Sequence, residues 1–472
     1  MPEATSLLSF PWISASALAA LAGAIGIWRC TDPDRARRSA ALVLAGVVAL
    51  LLAAMLEQSR AVDSARMAEP WGGLFEVDAV NGFPMLLYVL LALVTVLVAP
   101  RRDASGPFMG GVLGIIAASL LVYAGRSLAL IVIGWWLTAL PFALNGFAGS
   151  RHLRHHRSLL LVHALAGGAL TAAALMIGPR APDFDHASTV AMVLVVIAVA
   201  LRKGIFPAHG WLARTFEGGS PLAGALFFNG HLGALILLRA ESTHLAATVQ
   251  TALHYLNWGA LFTAVFTAFL MLGETKPRRM LGLLCVSQAA FILAGLCSAQ
   301  EAGIAGALLL WVVVAVASTA LVATYRAVEA RFTGVEDGIA MLGLAARTPR
   351  MAVFFLVSGL ALVGLPGTLG YCAEDLLYHG ALESEPLLGV VLLLATALNA
   401  IHLFRLFSHL FLGRLAAEVP EMPDALPRER WPLTLCVVLV VAGGLMPHRL
   451  VQLREAAAKQ VAEKLGLEHG EH

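Results

Sequence analysis

Apolar runs follow one another along this chain with only short polar links between them, and that pattern decides most of what it can become. A helix that crosses a membrane needs about 20 mainly apolar residues, because lipid offers nothing to an open backbone. Such runs fall near 8–28, 38–57, 80–99, 107–125, 127–148, 158–178, 188–217, 220–239, 251–273, 279–298, 302–325, 350–380, 387–412 and 431–447. Only 13% of the 472 residues are charged, against about 25% in a soluble chain. The sequence therefore predicts an all-α polytopic membrane protein of about fourteen transmembrane helices, with no room for a separate soluble domain.

The net charge of +2 offers no field that would draw nucleic acid. Met1 to Trp12 has no basic residue ahead of its apolar run, so it does not read as a cleaved signal peptide. Cys30, Cys285, Cys297, Cys372 and Cys436 are scattered without a CxxC, so neither a disulfide framework nor a zinc site is indicated. No cofactor motif is found, and no catalytic constellation.

Lys and Arg set the orientation. They gather in alternate loops: Arg29, Arg35, Arg37 and Arg38; Arg101 and Arg102; Arg151, Arg154 and Arg157; Lys276, Arg278 and Arg279; then Arg326, Arg331, Arg347 and Arg350. Between them lie acid-rich loops with Glu57, Asp63, Glu69, Glu76 and Asp78, then Asp183 and Asp185. The basic loops read as cytoplasmic and both termini as outside. The alternation holds only if 188–217 and 350–380 each cross once as a long, broken helix. The tail from Arg449 to Lys464 reads as a solvated or interfacial helix rather than a docking element.

The two breaks carry opposite charge. In "ALRKGIFPAHGW" (200–211), Arg202 and Lys203 precede Pro207 and Gly210, and His209 lies between those two. In "LVGLPGTLGYCAEDLLYH" (362–379), Pro366, Gly367 and Gly370 are followed by Glu374 and Asp375. Paired interruptions in two halves point to inverted repeats around an ion site. An ionisable group at membrane depth needs a partner or a task. Arg202 and Lys203 read either as positive-inside flanks or as part of an ion path. Glu374 and Asp375 suit the N-terminus of a half-helix in either case. Asn229 and His231 lie in the next apolar run, and Ser287 and Gln288 further on. Asn399, His402 and Arg405 fall on roughly one helical face, and Arg405 reads as a snorkelling residue.

These stretches resemble the antiporter-like membrane subunits of respiratory complex I and the Mrp cation/proton antiporters. The likeness lies in "RKGIFPAHGWLARTFEGGSPLAGALFFNGHLG", "KPRRMLGLLCVSQAAF", "GLPGTLGYCAED" and "FEVDAVNGFPMLLYVLLAL" with Asp78, across residues 75 to 410. It implies two inverted repeats: 107–240 with broken helix 188–217, and 241–412 with broken helix 350–380. Residues 1–106 precede them, and 413–472 carry a last helix and the amphipathic tail. It also implies translocation of H⁺ or Na⁺ in a bacterial cytoplasmic membrane, with Arg202, Lys203, His209, Asn229, His231, Glu374, Asp375 and His402 as candidates for the path.

Within the family, "PAHGWL" and "YCAEDLLYHGALE" look most like the membrane subunit of inorganic-carbon accumulation complexes. That likeness implies a cytoplasmic partner resembling a carbonic anhydrase, in which a cation gradient drives CO₂ hydration to bicarbonate. A proton-pumping subunit of an NADH-quinone oxidoreductase or hydrogenase-type complex is the second reading, and a structural membrane anchor the third. The chain departs from the family in helix 5, where "SLALIVIGWWLTALPFAL" has Trp135 and Trp136 in place of a glutamate. The family's lysine position falls on Arg202 with Lys203 beside it, and its eighth-helix histidine position falls near Phe227, with His231 a turn later. Arginine cannot release a proton in a protein, whereas a desolvated lysine can.

Overall fold

The apolar runs fold into helices whose ends are set by a few recurrent residues. A computed structural model describes residues 6–60, 66–70, 73–144, 147, 153–181, 184, 187–240, 247–298, 300–337, 341–384 and 386–465. In chain order the helices are α1 (Trp12–Trp28), α2 (Pro33–Arg60), α3 (Gly82–Val98), α4 (Gly106–Ala124), α5 (Leu128–Thr138), α6 (Leu140–Ala143), α7 (Leu153–Ile177), α8 (Thr189–Lys203), α9 (Gly210–Gly218) and α10 (Pro221–Asn229). They continue with α11 (Leu232–Ala240), α12 (Ala247–Leu272), α13 (Pro277–Leu296), α14 (Glu301–Arg331), α15 (Pro349–Leu362), α16 (Leu369–Ser384), α17 (Pro386–Phe411), α18 (Pro427–Leu445) and α19 (His448–Leu465). Among the described residues eight apolar spans are long enough to cross a membrane, one of them α10 and α11 taken together, and four shorter stretches are also apolar, one of them α5 and α6 together. Each of the fourteen expected crossings is occupied by one helix or by a broken pair. The protein is an all-α polytopic membrane protein.

Serine starts many of the helices. The hydroxyls of Ser105, Ser127, Ser188 and Ser220 accept the N–H of Phe108, Leu130, Ala191 and Ala223, at the first turns of α4, α5, α8 and α10. Such caps satisfy donors that lipid would leave bare. The acid-rich second loop is spent in the same way. Glu69 accepts the N–H groups of Ile13 and Ser14 at the start of α1, and Glu57 accepts Trp12 Nε1 at 2.8 Å. A small sheet, β1 (Ser6–Leu7), β2 (Arg66–Ala68) and β3 (Glu76–Asp78), closes that end in the order β1-β2-β3. Strands of two or three residues are too short for a period-2 pattern, so the sequence does not predict this sheet.

The centre of the bundle is α14, buried throughout and packed on α3, α10, α13, α15, α16, α18 and α19. At 31 residues it runs past the expected boundary of residue 325. Arg326 is therefore a buried helix residue, not a free loop cation. It pairs with Asp103 at 2.6 Å and with Glu329 at 2.9 Å. Glu329, fully buried, also receives Arg278 at 2.6 Å. These bonds draw several of the basic loops to one end of the bundle. Arg405 donates to the carbonyls of Leu272 and Glu274 and so caps α12 instead of reaching into lipid. The tail also departs from expectation. α19 turns 84° from α18 and buries Arg454, Ala457, Ala458 and Val461. Arg454 donates to the carbonyl of Ala79 at 3.1 Å and lies over the Phe83 ring. It is a docked helix. Arg151, Asp63, Asp183, Asp185 and the side chain of Arg154 lie outside the described residues.

Both expected breaks occur, and the chain closes them by one device. After α8, Gly204 takes φ +72° and the N–H of Ile205 reaches back to the carbonyl of Ala200 at 2.9 Å. After α15, Gly364 takes φ +63° and Leu365 reaches back to Leu360 at 3.0 Å. This is the left-handed glycine stop of a helix C-terminus, which satisfies late carbonyls inside the protein. A third break, between α10 and α11, was not expected. There His231 has φ +44°. The hydroxyls of Tyr88 and Tyr123 donate to the carbonyls of Leu226 and Gly230, which the interruption leaves without helical partners.

Candidate functional site

Arg202 and Lys203 end α8 inside the bundle, with 5% and 1% of their surfaces exposed. A positive-inside flank would reach water, so these residues are not flanks. Adjacent helix positions point about 100° apart, and here the two cations turn to different partners.

Lys203 turns to the third break. Its Nζ is hydrogen-bonded to Nδ1 of His231, and the ammonium nitrogen lies 4.3 Å from the centre of the Phe228 ring. Gly233 packs closely on this side chain: a Cβ there would lie 3.1 Å from Lys203 Cγ. Among the described residues no carboxylate pairs with Lys203 or with Arg202.

Arg202 turns to α5 and α7. Its guanidinium is held between the rings of Trp135 and Phe227, 4.4 and 4.1 Å from their centres. One nitrogen donates to Thr138 Oγ1 at 3.1 Å and to His163 Nδ1 at 2.8 Å. Trp135, where the resemblance calls for an acid, thus supplies a π face to an arginine. His163 is a lone ionisable residue in the apolar run "LLLVHALAGG", and that was the signal by which the sequence analysis could have found it.

Further buried polar residues lie on α10, α13, α14 and α17. Asn229 on α10 donates to Ser318 and Thr319 on α14, at 2.8 and 2.9 Å. On α13, Ser287 donates to the carbonyl of Ala264 and accepts Asn399 Nδ2 at 2.8 Å. The amide of Gln288 is buried with no protein partner at either end. His402, a turn beyond Asn399, bonds through Nε2 to the carbonyl of Ala268 at 2.8 Å, and its Nδ1 is unpartnered. Ser318 and Thr319 had escaped notice because hydroxyls in apolar runs are commonplace.

The second break separates the two acids. Glu374 points into it: a Cβ added at Gly364 would lie 2.3 Å from Glu374 Oε2, and Oε1 is buried without a partner. Asp375 is exposed, with His379 at 3.9 Å, and does not join the line. Aligning the two glycine stops sets Arg202 and Lys203 against Leu362 and Val363, so the second half has no cation at its break. His209 is half-buried beside Phe206, with its ring stacked at 5.7 Å, and is not in contact with the Lys203 pair.

The sequence profile of the NADH:quinone oxidoreductase/Mrp antiporter, TM family matches residues 126–399. The chain is 24% identical over 465 residues to NADH-quinone oxidoreductase subunit N 2 of Acidobacterium capsulatum, covering 89% of this chain and 91% of that one. It is 23% identical over 284 residues to NADH-quinone oxidoreductase subunit M of Rickettsia bellii, and there the match spans only 57% of the relative's length. The fold is that of a chain in respiratory complex I from Thermus thermophilus, with TM-score 0.82 and 20% identity over 96% of this chain and all of that one. It is also that of a chain in the Mrp complex from a Dietzia species, with TM-score 0.80 and 20% identity over 97% of this chain and all of that one. The chain belongs to the NADH:quinone oxidoreductase/Mrp antiporter membrane family.

Proposed function

We propose that this family member is the ion-translocating subunit of a hetero-complex in a bacterial cytoplasmic membrane, with Lys203 as its switchable charge. The observation that carries the reading is the Lys203–His231 hydrogen bond, shut off from water at the meeting of two broken helices. Lysine has a proton to give, and a neutral imidazole can take one on one nitrogen while giving one from the other. From His231 the polar residues Asn229, Ser318, Gln288, Ser287, Asn399 and His402 offer stations toward the second half. Glu374 stands at the second break, and the ranges 107–240 and 241–412 serve as the two repeats.

The ion is H⁺ rather than Na⁺. A sodium ion needs a cage of oxygen ligands, and two cations without a carboxylate repel it.

For the partner, the named relatives support the subunits of a redox complex that drives or is driven by the ion flow. A second reading keeps the cytoplasmic carbonic-anhydrase-like partner. It rests on the "PAHGWL" and "YCAEDLLYHGALE" likeness and on Trp135 in place of an acid. Purification from the native membrane in a mild detergent, followed by identification of the co-purifying chains, tests both. Dehydrogenase subunits support the first and a carbonic-anhydrase-like chain the second. A lone 49.7 kDa chain that still moves ions would overturn the hetero-complex reading.

A further inference from the structure

We propose that Arg202, His163 and Trp211 form a binding site for a small monovalent anion. The site stands apart from Lys203, which faces His231, and does not depend on the translocation reading.

The argument begins with the fixed guanidinium. Trp135 and Phe227 clamp its two faces, and one nitrogen is engaged by Thr138 and His163. Arginine only donates hydrogen bonds, so His163 Nδ1 must be the acceptor. The neutral ring then carries its proton on Nε2. That Nε2 is buried and has no hydrogen-bond partner. The same holds for Arg202 Nη2 and for Trp211 Nε1. Arg202, His163 and Trp211 are exposed to 5%, 4% and 3% respectively. All three line one small cavity, closed by Leu159, Val162 and Phe227. The cavity has room for about one water-sized particle.

The three unpartnered atoms in its lining are all donors. A water molecule has two lone pairs, so it can receive only two of these three donors. A metal cation is repelled by Arg202 and finds no oxygen or lone pair. A compact anion accepts from all three. The charge balance points the same way. Arg202 stays protonated, Lys203 follows it directly, and no described carboxylate answers either. A buried charge of one sign without compensation is costly, and an anion against the guanidinium removes that cost. The confined volume favours a halide over tetrahedral oxyanions.

The test uses the purified complex in lipid nanodiscs at constant ionic strength, with gluconate replaced stepwise by chloride or bromide. The thermal midpoint is expected to rise with halide and saturate, since a ligand of the folded state stabilises it by mass action. Trp211→Phe keeps the ring and removes one donor, and it is expected to weaken the apparent halide affinity about tenfold, equivalent to 1.4 kcal/mol. Arg202→Gln is expected to abolish the response. Bromide in crystals of the wild type should give an anomalous peak between the three nitrogens. That measurement holds even if Arg202→Gln fails to assemble. No halide response in the wild type, an unchanged response in Trp211→Phe, or bromide only elsewhere would overturn the site. A response to bicarbonate without one to chloride would overturn the halide assignment. Ion movement measured on Trp211→Phe separates this site from the translocation reading, which requires only Lys203.

Discussion

Lys203 Nζ meets His231 Nδ1 across two separate helix breaks, one closed by Gly204 in a left-handed turn and one centred on His231 itself. Lys203 is the last residue of α8 and His231 lies between α10 and α11, so the basic group and the imidazole meet where two helices are interrupted. Beyond that point, buried polar residues lie on α10, α13, α14 and α17.

Gly364 is expected to be far less tolerant than Gly204. Both have positive φ, which costs an alanine about 1–2 kcal/mol. At Gly204 a Cβ would meet nothing nearer than 3.5 Å, whereas at Gly364 it would strike the Glu374 carboxylate. Gly204→Ala should lower the midpoint of unfolding by only a few degrees. Gly364→Ala also drives the Glu374 carboxylate from its place and should lower the midpoint further. Equal losses for the two variants would contradict the placement of Glu374.

Glu374 and Asp375 are adjacent yet differ in surroundings, one aimed into the break and the other exposed beside His379. Glu374→Gln is expected to lower gradient-driven ion flux by roughly tenfold or more with assembly intact, as befits an ionisable group at membrane depth. Asp375→Asn should leave flux unchanged. A severe Asp375→Asn with a silent Glu374→Gln would reverse the assignment.

Glu329 is fully buried between Arg278 and Arg326, with the Tyr325 hydroxyl donating to it at 3.0 Å. Removing one member of such a buried set strands the other charges, at a cost of about 3–5 kcal/mol. Glu329→Ala is therefore expected to fail to accumulate in the membrane. Double replacement of Glu329 and Arg326 by apolar residues of similar size should recover part of the yield, as measured by quantitative immunoblot.

Much of this was legible in the residues, and what was missed has physical causes. Hydrophobic length alone located every crossing, and Gly-Pro punctuation located the breaks of α8 and α15. The third break lacked that signal, because "FFNGHLG" contains no proline, and its carbonyls are satisfied from a distance by Tyr88 and Tyr123. Arg202 and Lys203 were visible as odd cations, but adjacency says nothing about which neighbour each will choose. His163 supplies the partner for Arg202 from a helix some 39 positions earlier, a contact that no local spacing encodes. The docking of α19 was hidden for a similar reason: its buried face is built of alanines, which look neutral in a sequence, and Arg454, which looks solvated.

The central claim is that Lys203, not Arg202, carries the exchangeable charge. Gradient-driven proton flux in proteoliposomes, normalised to assembled complex, tests it with Lys203→Arg and Arg202→Lys side by side. Lys203→Arg replaces a switchable charge by a permanent one and is expected to abolish flux. Arg202→Lys keeps positive charge beside Trp135 and Phe227 and is expected to retain a substantial part of it. Full flux in Lys203→Arg, together with loss in Arg202→Lys, would contradict the account.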